Sequence, residues 1–265
     1  MAELVAPQAL LVDFGGVVFT TRKRPGGVAE LAREVYDLLV QHGQTELDEP
    51  MVLEDIESGL TAWKAWKNAK SRPYAPRDVT HEEFWEDFVA ADWPAASRQA
   101  VLERAFHLCY RLGILEAERT VRPSAVELLA CAHDHGIGVG IVSNALCGQV
   151  HREAVEGAGI AKYIGAQIYS DEHLIRKPNP RMLQLAARRL GVAITQCWYV
   201  GDNFDRDVLC GRRAGVGGAI LMVDQDTYDV PYKVRVEPDL VVQNPGELLA
   251  ALEQSLRATN SVEVA

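Results

Sequence analysis

Apolar and polar positions along the chain fall into two regimes. Residues 9–14, ALLVDF, form an apolar run that ends with an acid followed by an aromatic residue and is closed by Gly15 and Gly16. Such a run reads as a strand buried on both faces, as in a parallel sheet. Beyond it the spacing becomes helical. Segments 28–42, 51–69, 81–91 and 95–117 carry apolar residues three and four apart, with Leu31, Val35, Leu38 and Leu39 giving one such face. Thr80 followed by Glu83 predicts a capping box, in which hydroxyl and carboxylate each take up a free N–H at the helix start. No strand pattern interrupts this stretch.

After Pro123 strands and helices alternate. A helix over 123–135 leads to the strand IGVGIVSNA, a helix over 146–158 and a short strand at 165–169. Then follow a helix over 179–190, the strand CWYVGD, a helix over 207–214, the strand GGAILMV, the strand DLVV at 239–242 and a helix over 245–257. Alternation of this kind predicts an α/β fold, a parallel sheet with helices on both faces. The core is assigned to residues 1–19 and 119–257, split after its first strand by an all-helical insert over 20–118. The polar tail, 258–265, carries no cap signal and is expected to be disordered. Binding sites in such sheets lie at the carboxyl ends of the strands, where Asp13, Ser143, Asn144 and Asp202 fall.

Charge and cysteine usage narrow the function classes. The 265 residues carry a net charge of -10, so nucleic acid and anionic membranes are not expected partners. An anionic substrate would need a local positive site against that background. The five cysteines at 109, 131, 147, 197 and 210 include no CxxC pair, which predicts reduced thiols rather than a disulfide framework or a structural zinc. The start, MAELVAPQ, lacks the basic opening of a signal peptide. No apolar run approaches the roughly 20 residues that span a bilayer, and a cytoplasmic location is expected.

Four segments carry candidate chemistry: LLVDFGGVV with Asp13, IVSNA with Ser143, SDEHLIRKPNP with Lys177, and YVGDNFDRD with Asp202 and Asp207. Each is weak alone. Asp13 could cap a glycine turn, Ser143 and Asn144 a helix, Lys177 could be a solvated loop lysine, and the acids at 202, 205 and 207 could start a helix; Asp205 is read as doing only that. Taken in order, the four resemble the haloacid dehalogenase superfamily, with the helical insert corresponding to its mobile cap of the first type.

That resemblance implies a three-layer, Rossmann-like core and a magnesium-dependent phosphatase acting on a small phosphorylated molecule, as a monomer or homodimer. Asp13 would be the nucleophile, since a carboxylate can attack phosphorus and give an acyl-phosphate that water hydrolyses. Mg2+ would be held by Asp13, the backbone carbonyl of Gly15 and Asp202, with Asp207 either a direct ligand or a partner of one. Ser143 would donate to the phosphoryl group, helped by Asn144 or backbone N–H groups, and Lys177 would neutralise charge on phosphate and nucleophile.

One departure stands out. Most phosphatases of the superfamily carry a second aspartate two residues after the nucleophile, as proton donor to the leaving group; here the position is Gly15. Relatives with DxGGV or DxGNV segments, such as the bacterial alpha-glucose-1-phosphatase type, resemble this chain. Metal-free 2-haloacid dehalogenases also lack the acid, but Gly201-Asp202 favours phosphate. A catalytically weak binding or regulatory protein is a third reading. A cap residue such as Glu54, Asp55 or His81 could supply the missing proton. Substrate choice is assigned to the insert, where Arg22, with Lys23 and Arg24, is a candidate for an anionic substrate. Trp63, Trp66, Trp85 and Trp93 are read mostly as insert core, and Cys147 and Cys210 as packing.

Overall fold

The apolar run at the N-terminus lies in the middle of a six-stranded parallel sheet. In the computed structural model, which describes residues 4–263, β1 (Ala9–Val12) is wholly buried and pairs on one side with β4 (Gly138–Ser143) and on the other with β6 (Cys197–Gly201). β5 (Ala166–Tyr169), β7 (Gly218–Met222) and β8 (Leu240–Val242) complete the order β5-β4-β1-β6-β7-β8. Alternation along β1 divides the core between two faces. Leu10 and Val12 pack with Leu128, Val139 and Leu248, while Ala9 and Leu11 pack with Met182 and Leu183. Burying each such large side chain contributes about 1.5–3 kcal/mol, so both faces of this strand are fixed.

The covering helices after the insert are α6 (Ala125–Asp134), α7 (Gly148–Gly157), the short α8 (Ser170–His173), α9 (Arg181–Arg189), α10 (Leu209–Ala214) and α11 (Pro245–Glu263). The last runs past the expected end at 257. Ser255 and Thr259 return their hydroxyls to the carbonyls one turn back, and Leu256 packs on the core, so helix continues into the stretch expected to be disordered. Residues 264 and 265 of that tail lie outside the described residues.

Between β1 and β4 the chain forms α1 (Gly27–Gln41), α2 (Glu49–Lys70), α3 (His81–Phe84), α4 (Ala95–Leu102) and α5 (Ala105–Glu116). They enclose a separate apolar cluster of Leu31, Ile56, Phe84, Trp85 and Leu112, joined by Cys147 and Val150 from the core. Trp63 and Trp93 are buried in it as well. The capping box at Thr80 and Glu83 forms. The helix expected over 81–91 widens into a π turn at Trp85–Val89, close against Gly59, where an added Cβ would stand 2.6 Å from the Phe88 carbonyl. The helix expected over 95–117 breaks near Glu103, which lets α4 and α5 both reach α1.

The insert is not helical to its ends. β2 (Phe19–Lys23) and β3 (Ala117–Val121) pair antiparallel into a two-stranded ribbon. The boundaries expected at 19/20 and 118/119 therefore fall inside strands. Their threonines and valines suit a strand, but the ribbon is half exposed and lacks the apolar alternation that would announce it.

Candidate active site

Asp13 emerges just past β1. Its N–H donates to Val200 O at 2.8 Å, continuing the β1–β6 ladder by one residue, and its Oδ1 accepts the Phe14 N–H at 2.7 Å. The chain then folds back, with the N–H groups of Val18 and Phe19 both donating to Phe14 O. Gly16 sits in the left-handed region at φ +70, and a Cβ there would lie 2.6 Å from the Asp202 carboxylate. At Gly201 a Cβ would collide with the Asp207 side chain. Both glycines thus open the space that two aspartates occupy.

Lys177, buried, joins the segments. Its Nζ lies 2.8 Å from Asp13 Oδ2 and 2.6 Å from Asp207 Oδ1, and donates to the Tyr199 hydroxyl at 2.9 Å. Tyr199 in turn donates to Asp207 Oδ1 at 2.6 Å, and Asp207 Oδ2 accepts the Asn203 N–H at 3.0 Å. Asn144 clamps the lysine's backbone, accepting its N–H at 2.7 Å and donating to its carbonyl at 3.2 Å. Burial alone would push the Lys177 pKa down, but Asp13 and Asp207 outweigh it and hold the ammonium charged. For Asp207 burial acts upward and is outweighed by Lys177, which keeps the carboxylate ionised.

Asp202 has no such partner. Burial, then Asp207 and Asp13, push its pKa well above the carboxylate range against the opposing Asn203 and Lys177, and its Oδ1 accepts the Asn203 side chain at 2.6 Å. Asp13 is also raised, by burial first and by Asp207, with Lys177 opposing. Three carboxylates, with donor oxygens within 4.8 Å of one another, thus face one ammonium. An all-oxygen cluster with a deficit of positive charge suits a hard cation such as Mg2+.

A family model described as haloacid dehalogenase-like hydrolase matches residues 7–215. The chain belongs to this family. A phosphoglycolate phosphatase of Salmonella typhimurium is 32% identical over 168 residues, which is 62% of this chain and 63% of the relative. A phosphoserine phosphatase of Thermus thermophilus is 33% identical over 129 residues, 49% of this chain and 50% of the relative. The chain thus spans less than two thirds of the length of either. Among solved structures, a HAD phosphatase from Thermococcus onnurineus superimposes with a TM-score of 0.57 at 21% identity, covering 92% of this chain and 97% of that one. CbbY from Rhodobacter sphaeroides, in complex with phosphate, gives 0.56 at 19% identity, covering 93% and 99%. These two likenesses show the fold.

Of the residues singled out in this haloacid dehalogenase-like chain, Asp13, Lys177, Asp202 and Asp207 meet in one cluster. Ser143 is buried at the end of the neighbouring strand β4, and its hydroxyl has no protein partner among the described residues. Asn144 spends its amide on Lys177. Arg22 is exposed on the ribbon, in register with Glu118. Asp205 stands in the first turn of the helix that begins at Phe204, as expected, but it is buried there, with Arg206 Nε 3.6 Å away and both oxygens without a hydrogen-bond partner among the described residues. Glu54 is exposed, Asp55 accepts the Trp93 indole N–H inside the insert, and His81 faces Asp171 and Cys147, which together raise its pKa to about 9. Cys210 packs as expected, its thiol on Asn179 O.

Tyr199 and Arg206 beside the site, and Lys67 on the insert, carry no such signal in the sequence. Tyr199 reads as sheet filler, although the period of two puts it on the same face of β6 as Gly201. Arg206 donates to Asn203 Oδ1 at 2.7 Å, one link from Asp202. Lys67 on α2 is half-buried over the Trp63 ring; burial pushes its pKa down to about 8, with Glu116 opposing and Arg176 and Arg206 adding to the effect. Among the described residues no helix is long and apolar enough to cross a membrane.

Proposed function

We propose that this chain is a magnesium-dependent phosphatase that hydrolyses a small phosphorylated metabolite by way of an aspartyl-phosphate on Asp13. The observation that carries this reading is the imbalance at the sheet edge: Lys177 pairs with Asp13 and Asp207, while the half-buried Asp202 beside them has no ion pair among the described residues. A metal-free dehalogenase has no use for that second charge. Asp13, Asp202 and the Gly15 carbonyl would hold Mg2+, which when bound shields the phosphoryl oxygens from the attacking carboxylate. The Asp13 carboxylate attacks phosphorus, the ester oxygen leaves with the bonding pair, and water later cleaves the acyl-phosphate. Lys177 stabilises the charge that develops between nucleophile and phosphate, and the unpartnered Ser143 hydroxyl donates to a phosphoryl oxygen.

Gly15 places no acid beside the ester oxygen, so leaving groups of low pKa are favoured over plain alcohols. Lys67 and Arg206 lie close enough to feel each other's charge and supply the local positive field that an acidic chain needs to admit an anion. They fit a substrate with a second anionic group. The purified chain should hydrolyse an aryl phosphate with Mg2+ and stop with EDTA. Pairs of phosphate monoesters that differ only by a carboxylate should favour the one that carries it. Full activity in EDTA would remove the metal from the account, and indifference to the carboxylate would return Lys67 to a packing role.

A further inference from the structure

Three side chains that this chemistry does not use meet at the seam between insert and core. His81 opens α3, Cys147 immediately precedes α7, and Asp171 is the second residue of α8. One donor atom from each lies within 4.8 Å of the others, and His81 Nε2 is 3.5 Å from Asp171 Oδ2. Cys147 is buried, and the His81 and Asp171 side chains are 18% and 7% exposed, so the cluster is shielded yet reachable. Asp171 Oδ2 accepts the Gly148 N–H at 2.9 Å, but among the described residues its buried Oδ1 has no hydrogen-bond partner, and His81 Nε2 has none beyond its ion pair with Asp171. Buried polar atoms without partners are uncommon, and each calls for something to satisfy it.

The donor set is an imidazole, a thiol and a carboxylate. Mg2+ and Ca2+ take oxygen; a set containing sulfur and nitrogen selects zinc and its neighbours. Zinc bonds of about 2.0–2.3 Å keep two donors on one ion within about 4.6 Å of each other, so small side-chain rotations close this trio. Three protein ligands leave a fourth position for water. We propose that His81, Cys147 and Asp171 form a binding site for a zinc-class divalent ion, which fastens the helical insert to the sheet core. No CxxC spacing announces it, because the ligands come from three distant segments that only the folded chain brings together.

Co2+ is the probe, added to the purified full chain with Mg2+ in excess. A cobalt–thiolate charge-transfer band requires a cysteine ligand, which the Asp13, Asp202 and Asp207 cluster cannot provide. One equivalent should develop the band, and Cys147→Ser should abolish it. Asp171→Asn keeps an acceptor for Gly148 and should weaken binding at least about tenfold, the lower end of what even an outer partner of a metal contributes. Asp202→Asn and Cys131→Ser should leave band and stoichiometry unchanged. Absence of a band in the parent chain, survival of the band in Cys147→Ser, or its loss in Cys131→Ser would overturn the assignment. Circular dichroism of each variant separates loss of a ligand from loss of fold.

Discussion

Asp202 and Asp207 leave the same strand end five residues apart, and their surroundings are opposite. Asp207 is enclosed by the Lys177 ammonium, the Tyr199 hydroxyl and the Asn203 N–H, so its charge is offset and its oxygens are satisfied. Asp202 is half-buried beside two other carboxylates, supported by the Asn203 amide and, without an ion pair among the described residues, by the more distant charge of Lys177. A carboxylate partly withdrawn from water beside like charges is disfavoured in its charged form, and Gly16 keeps the space that lets it stand there. One acid holds the lysine in place. The other has no such partner, and on the proposed function its place is that of a ligand to Mg2+.

Substituting the two acids should therefore move stability in opposite directions. Asp207→Asn strands part of the Lys177 charge, and removing one partner of a buried pair typically costs about 3–5 kcal/mol. Denaturant unfolding should show a loss of that order, and an unchanged midpoint would mean that Asp207 does not anchor the lysine. Next in size is Gly15→Asp. Gly15 has no left-handed φ, and an added Cβ would meet only Thr21 Oγ1, at 3.8 Å. A carboxylate there should raise turnover of monoesters with poor leaving groups by up to about 10²-fold, with little gain on aryl phosphates. An equal gain on both classes, or none with Mg2+ still bound, would show that the proton already comes from elsewhere.

The smallest effect is the most telling in sign. Asp202→Asn removes a charge that its neighbours oppose, so the metal-free chain should become more stable. In the parent, the raised Asp202 pKa means that the folded chain holds its proton more tightly than the unfolded one. That stabilising contribution is complete below the ordinary value of 3.8 and is lost as pH rises through the folded value. The parent without metal should lose stability over that rise, and Mg2+ should restore it at neutral pH but less as the pH falls. Asp202→Asn should show neither the loss nor the rescue. Thermal unfolding with and without Mg2+ at two pH values checks both.

The strands were readable because both-faces burial leaves an unbroken apolar run, and the four polar segments fall at their ends in order. The β2–β3 ribbon was not, because its half-exposed threonines and charges follow no apolar alternation. Lys177 could be picked out, but not its anchor: Tyr199 is 22 residues away and counts as an ordinary strand aromatic until the fold turns its hydroxyl to the lysine. Asn144 falls at the strand end by its sequence position alone, but that its short amide holds the Lys177 backbone emerges only in the fold. Asp205 shows the limit of local rules. Three acids at a helix start suit the helix dipole, but burial of two of them is decided by tertiary packing.

The central claim is that Asp13 becomes phosphorylated. Rapid quenching of the chain with an aryl phosphate and Mg2+, followed by mass spectrometry of its peptides, tests it directly. The account predicts a phosphoryl group on the peptide containing Asp13, labile to base as an acyl-phosphate is, and absent from Asp13→Asn, whose turnover should be lower by several orders of magnitude. Hydrolysis at the parent rate by Asp13→Asn, or a phosphoryl group found on another residue during turnover, would contradict it.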